Sequence, residues 1–172
     1  MITHTLFMLI RNVSEVHGVD PCVLAALVDV ESHGMPGAVR TEPVYWHPWD
    51  VATGAPFRRL GAGEAVNGTA PSDFPGGQQE WTGQRASYGL AQVMGAVARE
   101  RGFAGPWEAL LDPETNLELA CAHLTYLQRH GKDEFATLAA YHAGDPESAK
   151  GIQYAHRVLA RAVEMRRAWR GK

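Results

Sequence analysis

The sequence predicts a mainly α, single-domain protein that occupies the whole chain, residues 1–172. Two of its predicted helices begin with an Asp-Pro pair, in which the aspartate can cap the helix and the proline suits the first helical position. Apolar residues then recur at three- and four-residue spacing, and a glycine follows most of these runs. The stretch around residues 41–86 lacks this periodicity, so we expect one long irregular loop or small β-hairpin insertion there.

The helix that begins at Asp20-Pro21 and ends near Ser32 carries a carboxyl group on its apolar face. Positions i, i+3, i+4 and i+7 of this face are Leu24, Leu27, Val28 and Glu31. Because the leucines must be buried, Glu31 lies at the inner end of an apolar stripe. Burial disfavours the charged form of a carboxyl group, which suits a general acid that must hold a proton near neutral pH. Alternatively, Glu31 faces water beyond the end of the core.

The remaining helices are predicted from the same signals. The first ends at Gly18, packs against the Glu31 helix and has an apolar face of Leu6, Leu9, Ile10, Val13 and Val16. Further helices are expected over residues 89–101, from Asp112-Pro113 to Gly131, and over residues 134–143. A short turn is expected at 107–111, and a final helix after Asp145-Pro146 is marked by Ile152, Ala155, Leu159, Ala162 and Trp169.

The irregular stretch is rich in proline and glycine, but it also carries the aromatic residues Tyr45, Trp46, Trp49, Phe57, Phe74 and Trp81. Disordered segments are poor in aromatic residues, so we expect much of this stretch to be ordered. The aromatic side chains either form a small local core or provide flat platforms for a ligand such as a sugar ring.

Charge and composition exclude some classes of function. The net charge of −3 argues against a general nucleic-acid-binding protein, and the histidines and cysteines lack the spacing of metal ligands. Positive charge collects near the C-terminus, in Arg157, Arg161, Arg166, Arg167, Arg170 and Lys172. We favour a solvated helix end that complements the helix dipole over a surface that is weakly attracted to an anionic cell envelope.

The N-terminus and the cysteines bear on where the protein is made. The apolar run from Leu6 to Ile10 follows no Lys or Arg, precedes no small-residue cleavage site and is too short to span a membrane. We therefore expect synthesis in the bacterial cytoplasm without a signal peptide, and no stable membrane insertion. Because Cys22 and Cys121 lie in apolar helical patterns, we expect buried free thiols rather than a disulfide.

Four short motifs follow one another along the chain. They are Val30-Glu31-Ser32, Tyr88-Gly89-Leu90-Ala91-Gln92-Val93-Met94, Asp112-Pro113-Glu114-Thr115-Asn116-Leu117 and Leu138-Ala139-Ala140-Tyr141-His142-Ala143-Gly144. In this order they resemble the motifs of the soluble lytic transglycosylases (Slt type), which share the lysozyme-like fold with goose-type lysozyme. The resemblance covers residues 20–32 and then 87 to about 159. Each motif is weak alone, but four in the right order are a strong signal.

The resemblance implies a role for each matching residue. Glu31 matches the single catalytic acid and base, Gln92 a glutamine that lines the sugar cleft, and Tyr141 a tyrosine whose hydroxyl lies near the catalytic carboxyl group. Further candidate substrate-binding residues are Ser87, Tyr88, His142 and Tyr154. The chain departs from the family pattern where methionine, proline and asparagine are replaced by Ala91, Gly95 and His142.

A further segment, Arg40-Thr41-Glu42-Pro43-Val44-Tyr45, resembles the Arg-Tyr-Glu-Pro-x-Tyr segment of phage and prophage members of the family. It makes Glu42 and Tyr45 candidate cleft residues; alternatively, they are a solvated loop charge and a loop anchor. With the expected lack of a signal peptide, the segment suggests a lysin that reaches periplasmic peptidoglycan after holin release or virion delivery.

The resemblance implies that the partner is the glycan strand of peptidoglycan. The strand would be cut between N-acetylmuramic acid and N-acetylglucosamine, leaving a 1,6-anhydro end; no cofactor is implied, and we expect a monomer. Two alternatives stay open. A hydrolytic muramidase would combine Glu31 with a water-positioning Glu42, and a non-catalytic glycan-binding or virion structural module would keep the fold without the reaction.

Overall fold

The computed structural model describes residues 2–130 and 133–169, and it confirms the mainly helical fold class. The helices are α1 (His4–His17), α2 (Pro21–Ser32), α3 (Ala62–Val66), α4 (Gly77–Gln84), α5 (Gly95–Glu100), α6 (Pro113–Arg129), α7 (Glu134–Ala143) and α8 (Ala149–Trp169). The predicted turn at 107–111 is a 3₁₀ helix, Trp107–Leu111. The strands are β1 (Val39–Thr41), β2 (Trp49–Asp50), β3 (Ala55–Pro56), β4 (Ala86–Tyr88) and β5 (Val93–Met94).

Several helices begin and end where the sequence predicts. Asp20 caps α2 by accepting the backbone N–H of Cys22 at 2.7 Å, and Asp112 caps α6 in the same manner. Helix α7 covers the predicted range 134–143. The predicted end of α6 at Gly131 lies outside the described residues. These agreements follow from local capping chemistry, which needs no information from distant parts of the chain.

The prediction of one helix over residues 89–101 is wrong. Residues 86–94 instead contain the antiparallel pair β4–β5, and α5 begins only at Gly95. A Cβ atom on residue 95 would lie 2.1 Å from the carbonyl oxygen of Gly83, so the backbone approach there allows only glycine. This contact accounts for a glycine at the position where the resembling family has proline.

The irregular stretch contains the predicted hairpin and also two helices, α3 and α4, that were not predicted. Strands β2 and β3 pair antiparallel, with Trp49 opposite Pro56. The guanidinium of Arg85 ties this unit together by donating to backbone carbonyls, including that of Ala65 at 3.0 Å. A small separate core confirms one of the two interpretations of the aromatic residues: it consists of Leu60, Ala65, Phe74 and Trp81.

Strands β1, β4 and β5 form a three-stranded antiparallel sheet with β4 in the middle. Arg40 lies opposite Ser87 across the first pair, and Ser87 lies opposite Met94 across the second. The turn that joins β4 to β5, Gly89–Gln92, is called the β4–β5 loop below. It carries most of the second sequence motif.

Helix α2 is the centre of the main core. Residues 23–28 are all buried, so the helix is surrounded on every side and not on one face only. Helix α8 packs against α2 and α7, and α1 packs against α2 and α6. Ion pairs of 2.8 Å, Asp29–Arg161 and Asp20–Arg166, join α2 to α8. Two arginines of the C-terminal cluster therefore connect helices instead of forming free surface charge.

Two residues that were predicted to lie on apolar helix faces are exposed. Val16, in the last turn of α1, is 82% exposed, and Ile152, near the start of α8, is also exposed. Both lie close to helix ends, where the neighbouring helices do not cover them. Ala155 and Ala162 of the predicted face of α8 are buried, and Tyr154 and Val158 are buried beside them.

The described residues contain no helix with both the length and the apolar character needed to cross a membrane. They also contain no group of three His, Cys, Asp or Glu side chains placed to hold a metal ion. Cys22 and Cys121 are free thiols, as predicted. Cys121 is buried, and this burial raises its pKa to about 12, whereas Cys22 is only half-buried.

Candidate active site

Glu31 lies at the C-terminal end of α2, where side chains of α7 and α8 approach it. Its side chain is 8% exposed, so it is on the inner side of the helix and does not face open water. The Nδ1 atom of His142 is 3.9 Å from a Glu31 carboxylate oxygen, within ion-pair distance when the imidazole is protonated. The next residue, Ser32, donates its hydroxyl to the Leu90 carbonyl at 2.7 Å, which fixes the end of α2 on the β4–β5 loop.

Tyr154 packs against His142 beside Glu31. The two rings are stacked, with centroids 4.4 Å apart and planes 6° from parallel. Tyr154 is 1% exposed, and its hydroxyl has no hydrogen bond of good geometry to any described residue. Burial, and then the negative charge of Glu31, raise the pKa of this hydroxyl well above its usual value. Tyr154 thus has a buried hydroxyl group that interacts electrostatically with Glu31 and forms no hydrogen bond of good geometry among the described residues.

Burial, and then the negative charge of Glu31, raise the pKa of the Tyr141 hydroxyl well above its usual value. Its hydroxyl, however, donates to the Ala91 carbonyl at 2.9 Å. Tyr141 thus supports the β4–β5 loop, whereas the Tyr154 hydroxyl near Glu31 forms no hydrogen bond of good geometry with another described residue. The resemblance pointed more strongly to Tyr141 for the position beside the carboxyl group.

Gln92, for which the resemblance implies a place in the sugar cleft, uses its side-chain amide within the protein. Its Nε2 donates to the carbonyls of Ala38 at 3.1 Å and Gly89 at 3.0 Å, and its Oε1 accepts the Ser87 hydroxyl at 3.1 Å. Both amide hydrogens are therefore occupied. In this arrangement Gln92 clamps the β4–β5 loop to the segment that precedes β1, and binding of a sugar by Gln92 stays a prediction.

The β4–β5 loop is the meeting point of all four motifs. Asn116, which is fully buried, donates to the Tyr88 carbonyl at 2.9 Å and accepts the Ala91 N–H at 2.8 Å. Gly89 has a φ of 71°, and a Cβ atom there would lie 2.5 Å from the Asn116 amide nitrogen, so no larger residue fits. One side chain from each motif bonds this loop: Ser32, Gln92, Asn116 and Tyr141.

Ser87 and Tyr88 are buried in the structure. The Ser87 hydroxyl is shared between the Arg40 carbonyl and Gln92, and the Tyr88 hydroxyl donates to the Gly83 carbonyl at 3.1 Å. Burial raises the pKa of Tyr88 to about 12. Both side chains support the sheet, and their contact with substrate stays a prediction.

Glu42 and Tyr45 lie outside the set of contacts around Glu31. The Glu42 carboxylate pairs with the Arg40 guanidinium at 2.9 Å, and no hydrogen bond or ion pair joins it to Glu31 within the described ranges. Tyr45 is half-buried, its N–H donates to the Ala65 carbonyl at 3.1 Å, and burial together with the Glu100 charge raises its pKa. The structure therefore connects Tyr45 to the insertion.

The remaining aromatic residues of the insertion line a groove of about 700 Å³. Trp46 is exposed, while Trp49 and Phe57 are half-buried in its wall, and Arg59 and Glu100 add opposite charges. The aromatic residues thus divide between a core and a groove. A platform for sugar rings stays a prediction for the groove part.

A second groove, which the sequence analysis missed, begins at His142 and has a volume of about 440 Å³. It is called the basic groove, and its lining consists of His142, Lys150, Gln153, His156 and Arg157. A signal was available, because residues 150, 153 and 157 are spaced i, i+3, i+7 and share a face of α8. The turn from α7 to α8 that brings this face beside His142 was not predictable from spacing.

Comparison with known proteins adds one finding. A search of curated proteins found no match to this chain. A comparison with protein families matches residues 8–163 to the family described as Transglycosylase SLT domain. The match includes Glu31 and all four motifs, and helices with small antiparallel sheets are consistent with the lysozyme-like fold of such domains. Since the match spans far more than half of the chain, this protein belongs to the transglycosylase SLT domain family.

Proposed function

We propose that this protein cleaves the glycan strand of peptidoglycan with Glu31 as its one catalytic acid and base. Membership of the family indicates lytic transglycosylase activity on peptidoglycan. The observation that carries the proposal is the carboxyl group of Glu31, which is 8% exposed and flanked by His142 and the Tyr154 hydroxyl. The other carboxylate that the sequence brings forward, Glu42, is paired with Arg40 instead.

The proposed reaction needs a single carboxyl group. Protonated Glu31 donates its proton to the bridging oxygen, and positive charge develops at C1 of the muramic acid, as in other glycoside cleavages. The N-acetyl group of the substrate assists. The Glu31 carboxylate then takes the proton of the C6 hydroxyl, whose oxygen closes onto C1 to form the 1,6-anhydro ring. Glu31 ends protonated again, and no water is consumed.

Two neighbours of Glu31 can stabilise the negatively charged carboxylate that Glu31 becomes when it gives up its proton. The Tyr154 O–H can donate to the carboxylate after it has lost its proton, because the hydroxyl is held beside Glu31 without another good acceptor. Protonated His142, 3.9 Å away, would favour the same charged form. Gln92 and Tyr141 contribute indirectly by fixing the loop against which the end of α2 rests.

The test is the Glu31→Gln variant on purified peptidoglycan. The amide has nearly the same shape but cannot donate and recover the proton, so we expect a rate loss on the order of 10²–10⁴ with an intact fold. The control is Glu15→Gln, which changes an exposed glutamate on α1 and should lyse cell walls normally. Circular dichroism reports folding. Lysis by the folded Glu31→Gln variant at nearly the normal rate would contradict the assignment.

Mass analysis of the products separates the possible reactions. The C6 hydroxyl belongs to the substrate, so its high effective molarity lets it outcompete water. We expect anhydro muropeptides, lighter than hydrolysis products by one water. A digest that contains only reducing ends, together with loss of activity in Glu42→Gln, would favour the muramidase, and binding without cleavage would favour the non-catalytic module.

The segment at residues 40–45 supports a narrower proposal, that the enzyme is a phage or prophage lysin. In the structure this segment leads from β1 into the insertion, which has its own small core. Lysis by the purified protein of cells whose outer barrier has been opened, but not of intact cells, is the expected result for a lysin that depends on a holin or a virion for delivery.

A further inference from the structure

We propose that the basic groove binds the negatively charged peptide stems of the peptidoglycan strand, an inference that rests on the proposed function. The groove opens beside the candidate catalytic centre, because His142 belongs to both. Its Nδ1 is 3.9 Å from the Glu31 carboxylate, and the same side chain lines the groove. A strand held at Glu31 would therefore present its substituents to this part of the surface.

The groove carries positive charge that the protein itself does not neutralise. No ion pair joins Lys150 or Arg157 to a carboxylate in the part of the chain that the structure describes. By contrast, Arg161 and Arg166, further along α8, are paired with Asp29 and Asp20. Unpaired cations beside a substrate site raise the local concentration of anionic ligands.

Two of the groove side chains, Arg157 and His156, pack against aromatic rings. The Arg157 guanidinium lies 5.8 Å from the centre of the Tyr154 ring, over its face, and His156 packs edge-on against Phe135 at 4.9 Å. Gln153 supplies both a donor and an acceptor between the cations. A planar guanidinium can bind a carboxylate through two hydrogen bonds, and the lysine adds a point charge. This lining fits a carboxylate-bearing peptide.

The chemistry of the substrate identifies the ligand. The sugar rings of the strand carry neutral hydroxyl and N-acetyl groups, so they offer no anion to this groove. The peptide stems, attached through the lactyl group of muramic acid, carry free carboxylates. The muramic acid whose C1 reacts in the proposed Glu31 mechanism is therefore the sugar that carries the negatively charged stem. Lys150 and Arg157 would increase affinity for strands that keep charged stems.

The test compares two preparations of the same strands: intact, and with the stem carboxylates converted to neutral amides. Amidation keeps the peptide in place, whereas removal of the stem would expose a lactyl carboxylate. For the unaltered protein we expect a higher kcat/KM on charged strands, by roughly 1.5- to 5-fold for each groove cation, the range of exposed ion pairs. The ratio of kcat/KM on charged strands to kcat/KM on amidated strands should fall toward one in Lys150→Gln and Arg157→Gln, because KM for the charged strands rises. Added salt should lower this ratio for the unaltered protein as well.

The matched control is Arg167→Gln, which removes an exposed arginine from the same helix ten residues further along, about 15 Å from Arg157. Its ratio should equal that of the unaltered protein. An unaltered protein that does not distinguish charged from amidated strands would overturn the inference, as would equal effects of Arg157→Gln and Arg167→Gln. Sedimentation of both strand types with Glu31→Gln measures the same ratio by binding alone, so failure of the cleavage proposal is recognised separately.

Discussion

The polar side chains near Glu31 fall into two groups: some form hydrogen bonds with the protein backbone, and others remain beside the Glu31 carboxyl group. Gln92, Asn116 and Tyr141 are the residues that a motif comparison brings forward, but the polar group of each is hydrogen-bonded to the backbone of the β4–β5 loop. The hydroxyl of Tyr154 and the imidazole of His142 are left at Glu31. Sequence could identify the residues, but it could not assign the hydrogen bonds, because these depend on contacts between distant segments.

This division predicts opposite effects for two similar substitutions. Tyr154→Phe removes a buried hydroxyl that has no good partner, so stability should change little, while loss of a bond to a charged group should lower kcat by roughly tenfold or more. Tyr141→Phe leaves the Ala91 carbonyl without its donor, which should cost about 1–3 kcal/mol of unfolding free energy and less activity. Denaturant titration and a cell-wall turbidity assay measure both quantities. Equal activity losses would show that the hydroxyls are equivalent.

Helices whose ends are set by capping residues could be predicted from the sequence. Strands that form by pairing with distant segments could not. The caps at Asp20 and Asp112 fix the starts of α2 and α6 within a few residues of sequence. Strand β4 instead pairs with β1, with Ser87 opposite Arg40 across a long separation in sequence. A periodicity that is equally compatible with a helix could not reveal this pairing. The predicted helix over 89–101 therefore failed at the β4–β5 hairpin.

The junction between β5 and α5 should not tolerate a side chain at residue 95. In Gly95→Ala the new methyl group would meet the Gly83 carbonyl oxygen 2.1 Å away, so the backbone must shift, at a cost of about 1–3 kcal/mol of unfolding free energy. The control is Gly63→Ala in α3, where an added Cβ meets nothing within 4 Å and should stabilise the helix by about 0.5–1 kcal/mol. Thermal unfolding measures both variants. A Gly95→Ala protein as stable as the parent would refute the close approach.

At the scale of the whole molecule, α8 is held along α2 by burial and by charge. The apolar contacts of α2 were foreseen from its sequence pattern, but the ion pairs were not, because Asp20 and Arg166 are far apart in the chain. The basic cluster at the C-terminus looked like one feature in sequence. In the fold Arg161 and Arg166 form ion pairs with α2 and Arg157 lines the basic groove, whereas Arg167 is exposed. Arg170 and Lys172 lie outside the described residues.

The Asp20–Arg166 ion pair should make the free energy of unfolding depend on pH in the acid range. Burial alone would raise the pKa of Asp20, but the Arg166 guanidinium and the N–H groups of Cys22 and Val23 hold it below the usual value. In the acid range Asp20 therefore binds more protons in the unfolded chain than in the folded protein. The resulting stability is present above the unfolded-state pKa, about 3.9, and is lost as the pH falls through the lower folded-state pKa.

Arg166→Gln isolates this contribution because it removes the guanidinium and leaves the cap hydrogen bonds of Asp20 in place. At pH 7 we expect a loss of about 0.2–1 kcal/mol of unfolding free energy, since both partners are partly exposed. The difference from the parent protein should shrink as the pH is lowered and Asp20 takes up a proton in both proteins. Urea titrations across this range provide the free energies, and Arg167→Gln, which breaks no ion pair among the described residues, should follow the parent at every pH. A difference for Arg166→Gln that stays constant from pH 7 to pH 2 would mean that the Asp20–Arg166 pair does not contribute to stability through charge.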